Sequence, residues 1–178
     1  MILLLGASAS GKTEIAKYLF RRYQMVKAIT HTTRPMRVGE RQDVDYHFVS
    51  KERFLEMKKL DKFVETTLYN DNYYGCSKDE CGDDKCIVLD PSGIKNFLAL
   101  NNPHIVTFFL NASPEVRKKR MESRGDDASS IERRLIGDSK TFAKENLPKV
   151  DYELDVDNDS VENLGDKIYV LYQKRLNS

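Results

Sequence analysis

Gly6-Ala7-Ser8-Ala9-Ser10-Gly11-Lys12-Thr13 reads G-x-x-x-x-G-K-T, the phosphate-binding P-loop. Before it, Ile2 to Leu5 is a short apolar run suited to a buried parallel strand. After it, Ile15, Ala16, Leu19, Phe20 and Tyr23 fall at helical spacing. Strand, loop and helix follow in the order the motif requires. In such a turn the backbone N–H groups of Ala7, Ser8, Ala9, Ser10 and Gly11, with the helix N-terminus, can surround phosphate oxygens. Lys12 adds a positive charge near the β/γ-phosphates, and the Thr13 hydroxyl is placed to ligate Mg²⁺. The competing reading is a glycine-bearing turn with a chance lysine. The agreement of the whole motif with both flanking elements speaks against it.

The chain has 178 residues, enough for one domain with a full core and inserted lobes. Charged residues make up 32% and hydrophobic residues 40%, an ordinary soluble balance. The net charge of +1 makes polyelectrolyte binding to nucleic acid a poor expectation. Cys76, Cys81 and Cys86 match no zinc pattern, and their odd number argues against a disulfide framework. Reduced thiols in a cytoplasmic protein are the plain reading. The N-terminal apolar run is too short for a signal peptide, and no stretch approaches a membrane span, so no membrane partner is expected.

Along the chain, Met25 to Ile29 reads as a second strand and Thr30 to Arg41 as a polar loop. Arg34 and Arg37 in that loop carry forked donors able to grip a phosphate, although exposed arginines are more often merely solvated. Asp45 to Val49 is a short strand. Ser50 can cap a helix with Phe54, Leu55, Met57 and Leu60 partly buried. Lys62 to Tyr69 and the segment from Tyr73 to Ser77 read as strands joined by a turn at Asn70-Asp71-Asn72. Residues 31–80 lack the βα alternation of the rest and look like a lobe inserted into an α/β core. Lys85 to Leu89 restores a buried strand. Asp90 at its end can hold a magnesium-bound water, cap the next helix before Pro91, or do both. His104 to Leu110 is another strand, and Ser113-Pro114 starts a helix. Arg117, Arg120 and Arg124 share one face of that helix. Such charge runs are usually solvated faces. Ser130 can cap a further helix carrying Ile131, Leu135 and Phe142, with Arg133 and Arg134 in its first turns. Val150 to Val156 is the last strand. Asp159 with Glu162 suggests the start of a final helix with Val161, Leu164, Ile168 and Leu171 as its core stripe.

Thr32-Thr33-Arg34-Pro35-x-Arg37-x-Gly39-Glu40, followed by Asp45-Tyr46-His47-Phe48-Val49, closely resembles the nucleotide-binding segment of guanylate kinases. Tyr73-Tyr74-Gly75 and Arg120-x-x-x-Arg124-Gly125 follow in the family's order, so the resemblance covers nearly the whole chain. It implies an α/β P-loop nucleotide kinase: a parallel five-stranded core sheet flanked by helices, with an inserted mixed α/β GMP-binding lobe and a helical lid. The corresponding segments are a core of 1–30, 81–116 and 147–178, a lobe of 31–80 and a lid of about 117–146. The implied reaction converts ATP and GMP into ADP and GDP with Mg²⁺, with dGMP as a further acceptor.

Carried over by position, Arg34, Arg37, Tyr46 and Tyr74 resemble the GMP phosphate site. Thr30, Glu65 and Cys76 fall where the family reads guanine. Asp90 matches an acidic residue near the nucleotide and Mg²⁺. Arg120, Arg124 and Arg134 match lid arginines that approach ATP and the transferred phosphoryl group. Asn158 falls near an asparagine at the adenine, with extra residues before it. Basic residues in three separate segments make sense if all face one set of phosphates, because phosphoryl transfer rests on positioning and charge neutralisation. The chain departs from the family at several positions. Ala9 stands where many nucleotide kinases have glycine, and alanine does not adopt φ > 0 cheaply. Cys76 replaces a serine or threonine, Val88 replaces an acidic residue, and Asp43 stands where glycine is frequent. Two other readings stay open: a relative acting on another monophosphate, and a non-catalytic guanylate-kinase-like binding module. Scaffold modules of that kind typically lack a working P-loop, whereas Lys12 and Thr13 are intact here.

Overall fold

Ile2–Leu5 forms β1, and all four residues are fully buried. Alternation sends Ile2 and Leu4 to one face of the sheet. There they pack with Ile15 and Leu19 of α1 (Lys12–Tyr23) and with Leu164, Ile168 and Tyr172 of α6 (Val161–Leu176). Leu3 and Leu5 face the other way, onto Ile94 and Phe97 of α3 (Pro91–Leu98). A strand covered on both faces has to be an unbroken apolar run, which is why four consecutive aliphatic residues decide the architecture.

The computed structural model describes residues 1–69 and 71–177. Asn70, the first residue of the expected turn, lies outside them. Among the described residues the strands form two sheets. The larger has the order β2-β7-β1-β8-β9, with β2 at Val26–Lys27, β7 at Lys85–Leu89, β8 at Val106–Asn111 and β9 at Tyr152–Asp155. All its pairings are parallel, as expected of the core sheet. The P-loop and Asp90 leave the C-terminal ends of the adjacent strands β1 and β7, the edge at which open parallel sheets bind ligands. The smaller sheet has the order β4-β3-β6-β5, from His47–Phe48, His31–Thr32, Asn72–Ser77 and Phe63–Tyr69. The helix α2 (Lys51–Lys59) buries Phe54 against Phe63 and Tyr73. A short 3₁₀ turn at Lys78–Glu80 returns the chain to the core, and Glu80 accepts the Ile29 N–H at 3.0 Å. The two crossovers between the sheets therefore run side by side.

Several local expectations change. The second strand pairs only at Val26–Lys27, because it is an edge strand with β7 as its one partner. The polar stretch from Thr30 contains β3, which is created by distant partners: Thr32 pairs with Tyr74 and Phe48. Leu55 and Leu60 are exposed, Met57 is partly buried as expected, and Phe54 is the fully buried anchor of α2. The helix α4 (Pro114–Ser123) starts at Ser113 as expected. Asp127, not Ser130, caps α5 (Ala128–Thr141), and its carboxylate accepts the Ser130 N–H. Ser160, not Asp159, caps α6. In both cases the better cap sits one helical turn before the amide it accepts, as capping geometry demands. Tyr172 is the fully buried end of the core stripe of α6, and Leu171 packs partly buried against the same cluster. Among the described residues no helix is long and apolar enough to cross a membrane.

Candidate active site

The P-loop is tight. A Cβ on Gly6 would meet Ser10 Oγ at 2.5 Å and the Leu110 carbonyl at 2.8 Å, so only glycine allows β1 to turn there. Gly11 takes φ 99° and Ala9 takes φ 61°. Ala9 thus holds the left-handed conformation that makes glycine the easier residue, at roughly 1–2 kcal/mol of local strain. Lys12 Nζ donates to the carbonyls of Gly6 at 2.6 Å and Ala7 at 2.8 Å, and lies 3.4 Å from Ser10 Oγ. The ammonium is thereby held inside the mouth of the loop.

A cavity of about 340 Å³ opens from this loop. Ala9 to Thr13 line it, together with Arg120, Arg124, Asp159 and Val161. Arg120 is fixed by Nη contacts to the Ala9 carbonyl at 3.3 Å and the Val156 carbonyl at 2.8 Å, which ties α4 to the P-loop. Arg124 reaches the same cavity while bonding Asp126, the nearest contact being 2.6 Å. Arg134 also bonds Asp126, at 2.9 Å, and does not line the cavity. Asp126, flanked by these two guanidiniums, is held below the usual carboxylate range, chiefly by its bond to Arg124. Asn158 is exposed and lies off the cavity wall, whereas the neighbouring Asp159 is part of it.

A second cavity, of about 670 Å³, lies between α1 (Thr13, Ala16, Lys17 and Phe20) and the β2 edge and reaches Thr30 and Tyr46, whereas Arg34, Glu65, Tyr74 and Asp90 do not line it. Beside it, Arg34 stacks over Tyr46 at 5.5 Å, and Tyr46 packs edge-on to Tyr74 with centroids 6.2 Å apart. Three of the expected phosphate-site side chains are therefore together. Glu40 holds the Arg34 guanidinium through two bonds of 3.0 and 2.7 Å and also accepts the Arg37 N–H at 2.7 Å. The Arg37 side chain is exposed. Glu65 on β5 is half-buried, and burial pushes its carboxyl pKa up, while its bond from the Cys76 N–H at 3.0 Å opposes the rise and Asp90 adds to it. Cys76 itself is fully buried in the core cluster of Leu3, Leu5 and Ala28, with its sulfur 3.8 Å from the Ser77 carbonyl. Its backbone, not its thiol, addresses Glu65.

Asp90 caps α3 by accepting the Gly93 N–H at 2.7 Å through Oδ1, which leaves Oδ2 for a hydrated cation. Among the described residues no group of three or more His, Cys, Asp or Glu is arranged to hold a metal. A magnesium ion arriving with phosphates needs only one or two protein oxygens, which the exposed Thr13 hydroxyl and the Asp90 carboxylate would be the ones to offer.

Two residues at the loop escape a reading by motif. Arg117 is buried, and its Nη1 donates to Asp138 Oδ2 at 2.7 Å. Asp138, from α5, also accepts the Ser8 N–H at 2.9 Å. The common face of Arg117, Arg120 and Arg124 was the one sequence signal pointing to Arg117. Asp138 had none, since its partners are brought to it only by tertiary packing.

Burial pushes the Lys12 ammonium down to about 8, with Asp138 opposing the drop and Arg117 adding to it. The folded value is below the unfolded one. Between about pH 8 and 10.5 the unfolded chain therefore binds more protons, and this group's contribution to stability rises with pH. An incoming phosphate reverses the shift by favouring the charged form, so ATP binding above about pH 8 should take up a proton. Calorimetry in buffers of different ionisation heat should show weaker ATP binding and more proton uptake at about pH 9 than at about pH 7. An affinity flat across that range would remove Lys12 from the phosphates.

The sequence model for the guanylate kinase family matches residues 1–174. A guanylate kinase of Coxiella burnetii is 31% identical, the match spanning 99% of this chain and 88% of that protein. One from Wolbachia pipientis is 32% identical over 98% of this chain and 89% of its own length. The crystal structure of guanylate kinase from Anaplasma phagocytophilum superposes with a TM-score of 0.66 at 25% identity, covering 98% of this chain and 85% of that one. Fold, site and sequence lead to one conclusion: the chain belongs to the guanylate kinase family.

Proposed function

We infer that this protein is an ATP-dependent guanylate kinase, transferring the γ-phosphoryl group of ATP to GMP to give ADP and GDP. The observation that carries the assignment of roles is the division of the basic side chains: Lys12, Arg120 and Arg124 line the P-loop cavity, while Arg34 packs with Tyr46 and Tyr74 on the inserted lobe. The P-loop cavity takes ATP. The cluster of Arg34, Tyr46 and Tyr74 takes the phosphate of GMP, and in-line transfer needs the two brought together.

The protein's work is positioning and charge neutralisation. The amides of Ala7 to Gly11 and the N-terminus of α1 hold the donor's phosphates. Lys12, Arg120 and Arg124 face the charge that builds on the transferring group, and Arg134 joins them on release from Asp126. Arg34 and Arg37 grip the acceptor's phosphate, with the Tyr46 and Tyr74 rings bounding it. Glu65 reads the base by accepting from guanine N1–H and the 2-amino group, and Thr30 donates toward O6. Thr13 and Asp90 would hold Mg²⁺, which would supply neutralisation of the phosphates. dGMP should also serve, because these residues address base and phosphate and not the sugar. Segments 31–80 and about 117–146 act as the acceptor lobe and the lid, and their closure keeps water from competing as acceptor. The three thiols, free in the structure, suit the reducing cytoplasm.

Arg34→Ala should raise KM for GMP about ten- to hundredfold while moving KM for ATP little, since charge-assisted bonds contribute about 1.5–3 kcal/mol each. Steady-state kinetics with each substrate varied in turn is the test. Equal weakening of both nucleotides would contradict the division of the site.

A further inference from the structure

We propose that Asp138 is a built-in competitor of a donor phosphate, a carboxylate that holds the Ser8 amide of the P-loop and has to give it up when ATP binds. The inference rests on the assignment of that loop to the donor's phosphates. Asp138 Oδ2 takes two donors at once, the Ser8 N–H at 2.9 Å and Arg117 Nη1 at 2.7 Å. Ser8 lies within the P-loop, whose amides are the groups that motif offers to phosphate oxygens. An oxygen of a carboxylate bonded by a loop amide and a guanidinium is the arrangement a bound phosphate oxygen would adopt. The contact joins residues 130 positions apart, so folding of α5 over the loop, not local chain geometry, puts it there.

Charge explains why the contact exists. Arg117 is buried and Lys12 half-buried beside the loop, so two positive groups share a poorly solvated region. With no anion between them, two cations would repel in a poorly solvated site. Asp138 supplies the missing negative charge, and its side chain is only 15% exposed. Arg117 is incompletely satisfied even so. Its Nε is buried with no hydrogen-bond partner among the described residues, which leaves a donor for a further acceptor.

ATP inverts this balance. Its phosphates bring more negative charge than one carboxylate and compete for the same Ser8 N–H. Asp138 then becomes a like-charged neighbour in a site of low dielectric and is displaced. Arg117 is transferred from the carboxylate to the phosphates, which makes it a fourth arginine of the donor site beside Arg120, Arg124 and Arg134. Since Asp138 lies one helical turn after Arg134 on α5, its departure frees the helix that carries Arg134. Donor binding and lid release become one event. By linkage, the competing contact lowers ATP affinity by as much as it stabilises the empty loop.

The test is calorimetric titration of MgATP, without acceptor, into the wild-type protein, Asp138→Ala and Asp138→Asn, with GMP titrated separately as a control. Loss of the competing carboxylate should tighten MgATP binding about ten- to hundredfold in Asp138→Ala. Asp138→Asn keeps the shape and one acceptor but loses the charge, and should give a smaller tightening, which keeps the test alive if the alanine variant folds poorly. GMP affinity should not move. The Ser8 amide NMR signal should shift on Asp138→Ala in the empty protein and recover when MgATP is added. MgATP binding equal to or weaker than wild type in the folded variants would overturn the competition and make Asp138 a fixed strut. Equal tightening of GMP would overturn it too, as general loosening. Failure of all three proteins to bind MgATP would instead overturn the donor-site assignment, and the competition with it.

Discussion

Lys12→Met should lower kcat about 10²–10³-fold while leaving the protein folded. The ammonium is caged by the Gly6 and Ala7 carbonyls, so it cannot drift away from the loop mouth as charge builds on the transferring group. Methionine keeps much of the aliphatic stem and removes the charge together with its bonds to the two carbonyls. Burial already works against that charge in the empty loop, so the fold gains little from it and the substitution should leave the thermal midpoint close to wild type. Single-turnover kinetics separate the chemical step from ATP binding. A folded Lys12→Met protein with near-normal kcat would remove Lys12 from the transition state.

Glu65→Gln should lower the kcat/KM preference for GMP over AMP about a hundredfold or more. Glu65 uses one carboxylate oxygen on the Cys76 N–H, and burial raises its pKa. Guanine offers two N–H donors that satisfy such a carboxylate. Adenine offers a bare N1 and would leave the charge unpaired in a closed site. Glutamine replaces one acceptor by a donor, which opposes guanine and suits adenine N1. The measurement is kcat/KM for both nucleotides with each protein. An unchanged ratio would mean that the base is read elsewhere. Cys76 adds little to this discrimination through its side chain, because the thiol faces the core cluster and only the backbone reaches Glu65.

The parts of the fold legible in the sequence were those with local causes. Ile2–Leu5 is apolar at every position because it is covered on both faces, and the P-loop glycines answer to a close approach at Gly6 and a positive φ at Gly11. The resemblance placed Arg34, Tyr46 and Tyr74 in one site, and they are found packed together. What stayed hidden depends on contacts between distant segments. The strand at His31–Thr32 exists only because Tyr74, Gly75, His47 and Phe48 come to it. The burial of Cys76 follows from the seat of β6 against the core, which spacing does not reveal. The carboxylates that occupy the site's arginines divide in the same way. Glu40 is near Arg34 in sequence and belongs to the recognised segment, whereas Asp138 reaches the P-loop from a helix far along the chain. A residue of that kind carries no motif, since any acidic side chain at the right place in space would make the same contact.

The central claim is guanine-directed transfer from ATP, and the most direct measurement is a coupled ADP-release assay with MgATP and, in separate reactions, GMP, dGMP, AMP and IMP. The account predicts rapid turnover of GMP and dGMP, weaker use of IMP, which lacks the 2-amino group that Glu65 accepts, and little with AMP. Turnover of AMP as fast as that of GMP, or no turnover of any monophosphate, would contradict it.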